Sequence, residues 1–141
     1  MLSYDIVAMT LQRCLCIVLV AVLAGVPWPR QVAAHAKLVR AEPALNSTVK
    51  SAPKLVRIWF NEELDPKTSA ISVVDVKGKR VDDGKGGVDL DDMDRKSMKA
   101  ALKPIGPGKY TVKWKAVSTD DRDVKQGTFA FTVAPASTSS R

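Results

Sequence analysis

Cysteine is almost missing from this chain: the two that occur, Cys14 and Cys16, both sit in an apolar N-terminal run. No disulfide can staple the rest, so its fold must be held by an apolar core. Histidine is scarcer still, with His35 alone. That excludes any centre built on two histidines, and the chain also has no glycine-rich phosphate cradle and no cysteine nucleophile beyond its start. No stretch keeps a helical period, so a helical bundle is excluded. The longest apolar run, LCIVLVAVLAGV from Leu15 to Val26, is shorter than the roughly 20 residues a membrane-spanning helix needs.

What that run does resemble is the core of a secretory leader. Arg13 precedes it, Pro27 ends it, and Val32 and Ala34 supply the small residues of a cleavage site. The expected organisation is a signal peptide over 1–34, a domain over 35–133 and a disordered polar tail over 134–141, with export to the periplasm. Met1 to Thr10 carries Asp5 and no basic residue, which makes Met9 the better start for a leader. Losing Arg13, Arg30 and Asp5 takes two of 22 basic and one of 15 acidic residues, so the net charge falls from +7 to +6. The lysines are scattered along strand-like stretches, which reads as a solvated basic surface suited to anionic lipid or an acidic partner, with no nucleic acid expected.

After His35, short runs of period two alternate with turn signals. Lys54–Phe60 places Val56, Ile58 and Phe60 on one face and Leu55, Arg57 and Trp59 on the other. Ala70–Val76 and Ser97–Lys103 follow, the second with Met98, Ala100 and Leu102 inward. The strongest pair is Lys109–Val117, with Tyr110, Val112, Trp114 and Ala116 on one face, and Gly127–Val133, with Phe129, Phe131 and Val133. Trp114 and Phe131 are expected in the core. About seven short strands point to an all-β, immunoglobulin-like sandwich of Greek-key type. The stretch Gly84–Asp91 reads as a solvated loop, with Met93 exposed beyond it, and Ser118–Asp123 is a polar loop at the end of the central hairpin.

Four separated elements resemble the CopC family of periplasmic copper-resistance proteins. They are the opening His35-Ala36-Lys37-Leu38 through Glu42-Pro43-Ala44; Ala52-Pro53 leading through Trp59-Phe60-Asn61-Glu62 to Asp65-Pro66; Gly108-Lys109-Tyr110-Thr111-Val112-Lys113-Trp114; and Val117-Ser118-Thr119-Asp120-Asp121-Arg122-Asp123-Val124 followed by Gly127-Thr128-Phe129-Ala130-Phe131. The resemblance implies Cu(II) held by the amino-terminal histidine and by the aspartate and histidine of a D-G-H motif. Asp120 matches that aspartate, Asp121 replaces the glycine, and Arg122 stands in place of the histidine.

An amino-terminal His35 would offer an α-amine and an imidazole that together chelate a square-planar ion such as Cu(II). Both lose their proton near neutral pH, with reference pKa values of about 8 and about 6.5. The expected metal ligands are therefore His35 and Asp120, with Asp121 and Asp123 solvated and available as substitutes. Arg122 has no lone pair to give and repels a cation unless a carboxylate neutralises it. Met93 and Met98 make a poor Cu(I) pair. The chain is expected to be a monomeric copper carrier or buffer rather than an enzyme, with an inner-membrane copper transporter of the CopD type as its partner. The competing expectation, favoured by Arg122, is a CopC-like interaction module that has lost metal and docks on an envelope membrane protein.

Intact mass of the exported protein is expected to correspond to a chain beginning at His35. A retained leader, or a cut elsewhere, would remove the amine from the chelate.

Overall fold

The computed structural model describes residues 35–136. The segment read as a leader and the last residues of the tail lie outside that range. Eight strands appear among the described residues: β1 (Leu38–Glu42), β2 (Thr48–Val49), β3 (Leu55–Phe60), β4 (Ala70–Asp75), β5 (Gly87–Val88), β6 (Ser97–Ala101), β7 (Gly108–Val117) and β8 (Val124–Val133). They form two four-stranded sheets, β1-β3-β6-β5 and β2-β8-β7-β4. The chain crosses between sheets after β1, β2, β3, β4 and β6, which makes the all-β sandwich that the alternation implied. The count exceeds seven because β2 and β5 are only two residues long, too short to leave a period.

The period-two faces set the core. Val56, Ile58 and Phe60 from β3 and Met98 and Ala100 from β6 meet Ile71 and Val73 from β4, Val112 from β7 and Phe131 from β8, all buried. Each large apolar side chain removed from water there contributes about 1.5–3 kcal/mol. Phe131 lies in this core as expected and stacks on Tyr110 with ring centroids 5.5 Å apart. Trp114 differs: it is only partly buried, at the rim of the core. It meets Phe60 edge-on at 5.2 Å and stays partly open to solvent. On the outer face of β3, Trp59 is half-buried because the Arg40 guanidinium covers its ring at 4.6 Å and Arg57 approaches at 5.8 Å.

The segment read as a solvated loop is not one. Met93 is exposed, but Val88 and Asp89 are buried, and β5 pairs with β6. Gly86 makes this crossing possible, since a Cβ there would lie 2.3 Å from the Ile71 carbonyl oxygen. Two buried carboxylates tie the crossing down, and neither is part of an apolar period, which is why the sequence pattern does not reveal them. Asp89 is held by the guanidinium of Arg57 and by Lys99 Nζ at 2.6 Å. Asp82, fully buried, accepts the backbone N–H of Val73 at 2.8 Å and of Gly84 at 2.9 Å, and Arg80 Nε donates to it at 2.8 Å.

Burial alone would raise the Asp82 pKa, but the N–H groups of Val73 and Gly84 together with Arg80 hold it below the ordinary carboxylate range. The unfolded value is about 3.9. Asp82 therefore adds stability that is complete above that pH and is lost as pH falls through it toward the folded-state value. Thermal melts are expected to show stability dropping between about pH 5 and pH 2. Asp82→Ala, which leaves the buried Val73 N–H without its acceptor, is expected to cost about 1–3 kcal/mol at neutral pH and to flatten that acid limb.

Candidate metal centre

Three segments far apart in sequence converge at the end of β7 and β8. The first is the start of the described chain: the Lys37 N–H donates to Asn61 Oδ1 at 2.6 Å, and the Asn61 N–H donates to the Lys37 carbonyl at 3.2 Å. The second, Asn61–Asp65, leaves the end of β3. The third is the loop Ser118–Asp123, closed by the Ser118 N–H donating to the Asp123 carbonyl at 3.0 Å. This loop is pinned to the second segment, because both the N–H and the hydroxyl of Thr119 donate to the Glu63 carbonyl, at 3.1 and 3.2 Å.

The imidazole of His35 meets the loop through Asp123. Its Nδ1 lies 3.1 Å from Asp123 Oδ2, and Lys125 Nζ lies 3.1 Å from the same oxygen. The Lys125 ammonium does most to hold the Asp123 pKa below the ordinary range; burial opposes it and His35 adds a smaller push in the same direction.

Asp120, the aspartate expected as a ligand with His35, is exposed, and its N–H donates to Ser118 Oγ at 3.3 Å. Asp121 is also exposed, and its Oδ1 caps the turn by accepting the Asp123 N–H at 2.9 Å. The structure thus brings Asp123, rather than Asp120, to the histidine ring. Asp123 precedes β8, and its side chain turns in under the chain start. Strand alternation does not reach that loop position.

Arg122 is turned away from all three loop aspartates. It adopts a left-handed backbone with φ of 61°, and its Nη1 donates to Asp65 Oδ2 at 2.8 Å. Asp65 also accepts from the Lys67 N–H at 2.9 Å and the Thr68 hydroxyl at 3.0 Å, and these, with Arg122, keep its pKa low against the effect of burial. The positive charge of Arg122 is therefore compensated within the fold without occupying a loop carboxylate.

One further carboxylate stands out. Glu62 is buried, 8 % exposed, and both its oxygens lack a hydrogen-bond partner. A buried polar group left so is costly and needs an explanation. It lies between Asn61, bonded to the chain start, and Glu63, bonded to the loop. The only sign of it in the sequence was an acidic residue directly after a buried strand end. Beside the site, a cleft of about 540 Å³ is lined by His35, Leu38, Leu45, Trp114, Lys125 and Gln126. No group of three or more His, Cys, Asp or Glu among the described residues is gathered closely enough to hold a metal. What stands ready is the His35–Asp123 pair alone. At metal–ligand bonds of about 2.0 Å set at right angles, adjacent donors sit about 2.8 Å apart, close to the observed 3.1 Å.

The fold and the motif positions agree with the comparisons. The CopC domain matches residues 38–134. The chain belongs to the CopC family. It is 34% identical over 108 residues to the copper transport protein CutJ of Bacillus subtilis, covering 77% of this chain but only 20% of CutJ, so it spans a fifth of that relative. It is likewise 34% identical over 104 residues to copper resistance protein C of Xanthomonas campestris pv. juglandis, covering 80% of that protein. Among solved structures it is similar to CopC from Methylosinus trichosporium OB3b, at 31% identity and a TM-score of 0.64 over 72% of this chain and 95% of the other. It is also similar to PcoC, a methionine-rich copper resistance protein from Escherichia coli, at 31% identity and a TM-score of 0.57 over 71% and 99%.

Trp114 forms one wall of the cleft because Gly127 opposite it leaves room. A Cβ at Gly127 would lie 2.5 Å from Trp114 Cζ2 and 2.8 Å from Cε2. Gly127→Ala is expected to displace the indole, to cost about 1–3 kcal/mol and to shift the tryptophan emission maximum. Unchanged emission and melting would show that the ring is not packed on Gly127.

Proposed function

We propose that this CopC-family chain is an exported Cu(II)-binding protein of the periplasm, a carrier or buffer in copper resistance or homeostasis rather than an enzyme. The observation that carries this reading is the His35 Nδ1–Asp123 Oδ2 contact at 3.1 Å. If the leader is removed before His35, Nδ1 is the ring nitrogen that closes a chelate with the α-amine, and it faces a carboxylate held ionised by Lys125. A Cu(II) ion entering between them would meet nitrogen and oxygen donors of the kinds it prefers. Asp120 belongs to the proposal as a donor that must swing in from the exposed side of the loop. The single histidine, which leaves none for a two-histidine centre, supports a binding role over a catalytic one. A membrane transporter of the CopD type would be the natural recipient of such cargo.

The second reading, a metal-free module docking on an envelope membrane protein, is favoured by Arg122, whose guanidinium occupies the motif position of a ligand. Cu(II) titration of the chain beginning at His35 separates the two, read by quenching of Trp114, which lines the same cleft as His35. Micromolar Cu(II) is expected to quench the emission. Asp123→Asn is expected to weaken binding by about ten-fold or more, as losses of metal-site partners do, and an extra residue before His35 to abolish most of it. Arg122→His, by adding a donor and removing a cation, is expected to raise affinity by at least about ten-fold. Absence of binding by the unaltered chain together with tight binding by Arg122→His would establish the metal-free module instead.

A further inference from the structure

The outer face of the β2-β8-β7-β4 sheet has a charge pattern that the metal site does not use. Lys109, Lys113 and Lys115 all point outward from β7, a central strand, and all are exposed. At a rise of about 3.4 Å per residue they form a row about 20 Å long. Their cross-strand neighbours are short and neutral: Ser72 and Ala70 on β4, and Thr132, Thr128 and Gln126 on β8. No outward position of these strands carries an Asp or Glu, and none of the three lysines has an ion-pair partner among the described residues. Elsewhere on the domain the basic residues are often paired, as Arg40, Arg57, Lys99 and Arg122 are.

Toward the β4 edge the row borders a shallow depression of about 440 Å³, where Arg80 joins Lys113 and Lys115 beside Ser72 and Gly84. Asp82 anchors Arg80 through Nε, and the Arg80 side chain is still 49% exposed. Three cations around an open hollow suit a phosphate group, since guanidinium and ammonium donors both bond phosphate oxygens.

We infer that this face docks on an anionic phospholipid bilayer, with a headgroup phosphate seated between Arg80, Lys113 and Lys115. A flat row of flexible cations above short side chains fits a charged plane. A protein partner of the usual kind needs an aromatic or large apolar anchor at the centre of the contact, whereas the outward apolar positions here are Val74, beside Thr111, and Val124 at the strand end, away from the middle of the lysine row. The cleft beside His35 shares Trp114 and Gln126 with this depression, but none of Arg80, Lys113 and Lys115 lines it.

The test is co-sedimentation of the chain beginning at His35, which contains the entire apolar core, with vesicles of phosphatidylglycerol and phosphatidylcholine. Binding is expected at low salt and is expected to vanish in pure phosphatidylcholine and at high ionic strength. The triple variant Lys109→Gln, Lys113→Gln, Lys115→Gln is expected to lose about a hundred-fold in partition. The charge-matched control Lys54→Gln, Lys96→Gln, Lys103→Gln, exposed residues away from this face, is expected to lose far less. Arg80→Gln alone is expected to lower binding several-fold. Unchanged melting temperatures show that the variants remain folded. Equal losses in both triple variants would reduce the effect to net charge and overturn the assignment of this face. No vesicle binding at low salt overturns it as well, and face-dependent binding of polyglutamate in that case would transfer the face to an acidic protein.

Discussion

The ladder between β7 and β8 is the constraint on which the rest of the molecule depends. It runs unbroken from Gly108 opposite Val133 to Val117 opposite Val124. Because side chains alternate with period two, a slip of one residue would exchange Tyr110, Val112, Phe129 and Phe131 for lysines and threonines on the buried face. The same register puts Trp114 across from Gly127, places the lysine row on the outer face and closes the Ser118–Asp123 loop at one end. Core, cleft, basic face and loop are consequences of a single pairing.

With no cysteine in the described domain, buried carboxylates help to hold the crossings between sheets. Asp82 binds two backbone N–H groups and Arg80, and Asp89 joins Arg57 of β3 to Lys99 of β6. Such pairs do not replace an apolar core, since desolvation offsets much of their attraction. They fix where the 80–89 segment lies, because any other path would bury the same charges without partners. Glu62 is the exception to this rule of satisfied burial, and it lies where the chain start and the loop come together.

The candidate centre is assembled by contacts between segments rather than within one. Asn61 fastens the start of the chain, Glu63 fastens the loop, and Asp65 draws Arg122 aside. The substitution that seemed to argue most strongly against a metal site is thus compensated by a carboxylate from another segment. Its effect on the site is indirect: the Arg122–Asp65 bond helps to set the loop conformation in which Asp123 faces His35.

Alternation, turn residues and the four family-like elements were enough to read the all-β sandwich, the inner faces of β3, β6, β7 and β8, and the kinship with copper-resistance proteins. The sandwich and its faces follow from local periodicity, which each strand carries in its own residues, whereas the kinship rests on the resemblance of the four motif elements. The loop partner of His35, the destination of Arg122 and the burial of Asp82, Asp89 and Glu62 could not be read that way. Each depends on a side chain meeting a segment twenty or more residues away, or on a loop or bridge residue whose direction no period sets. Trp114 lies between the two cases: its strand face was legible, but its place at the open rim was decided by Gly127 and by where the two sheets part.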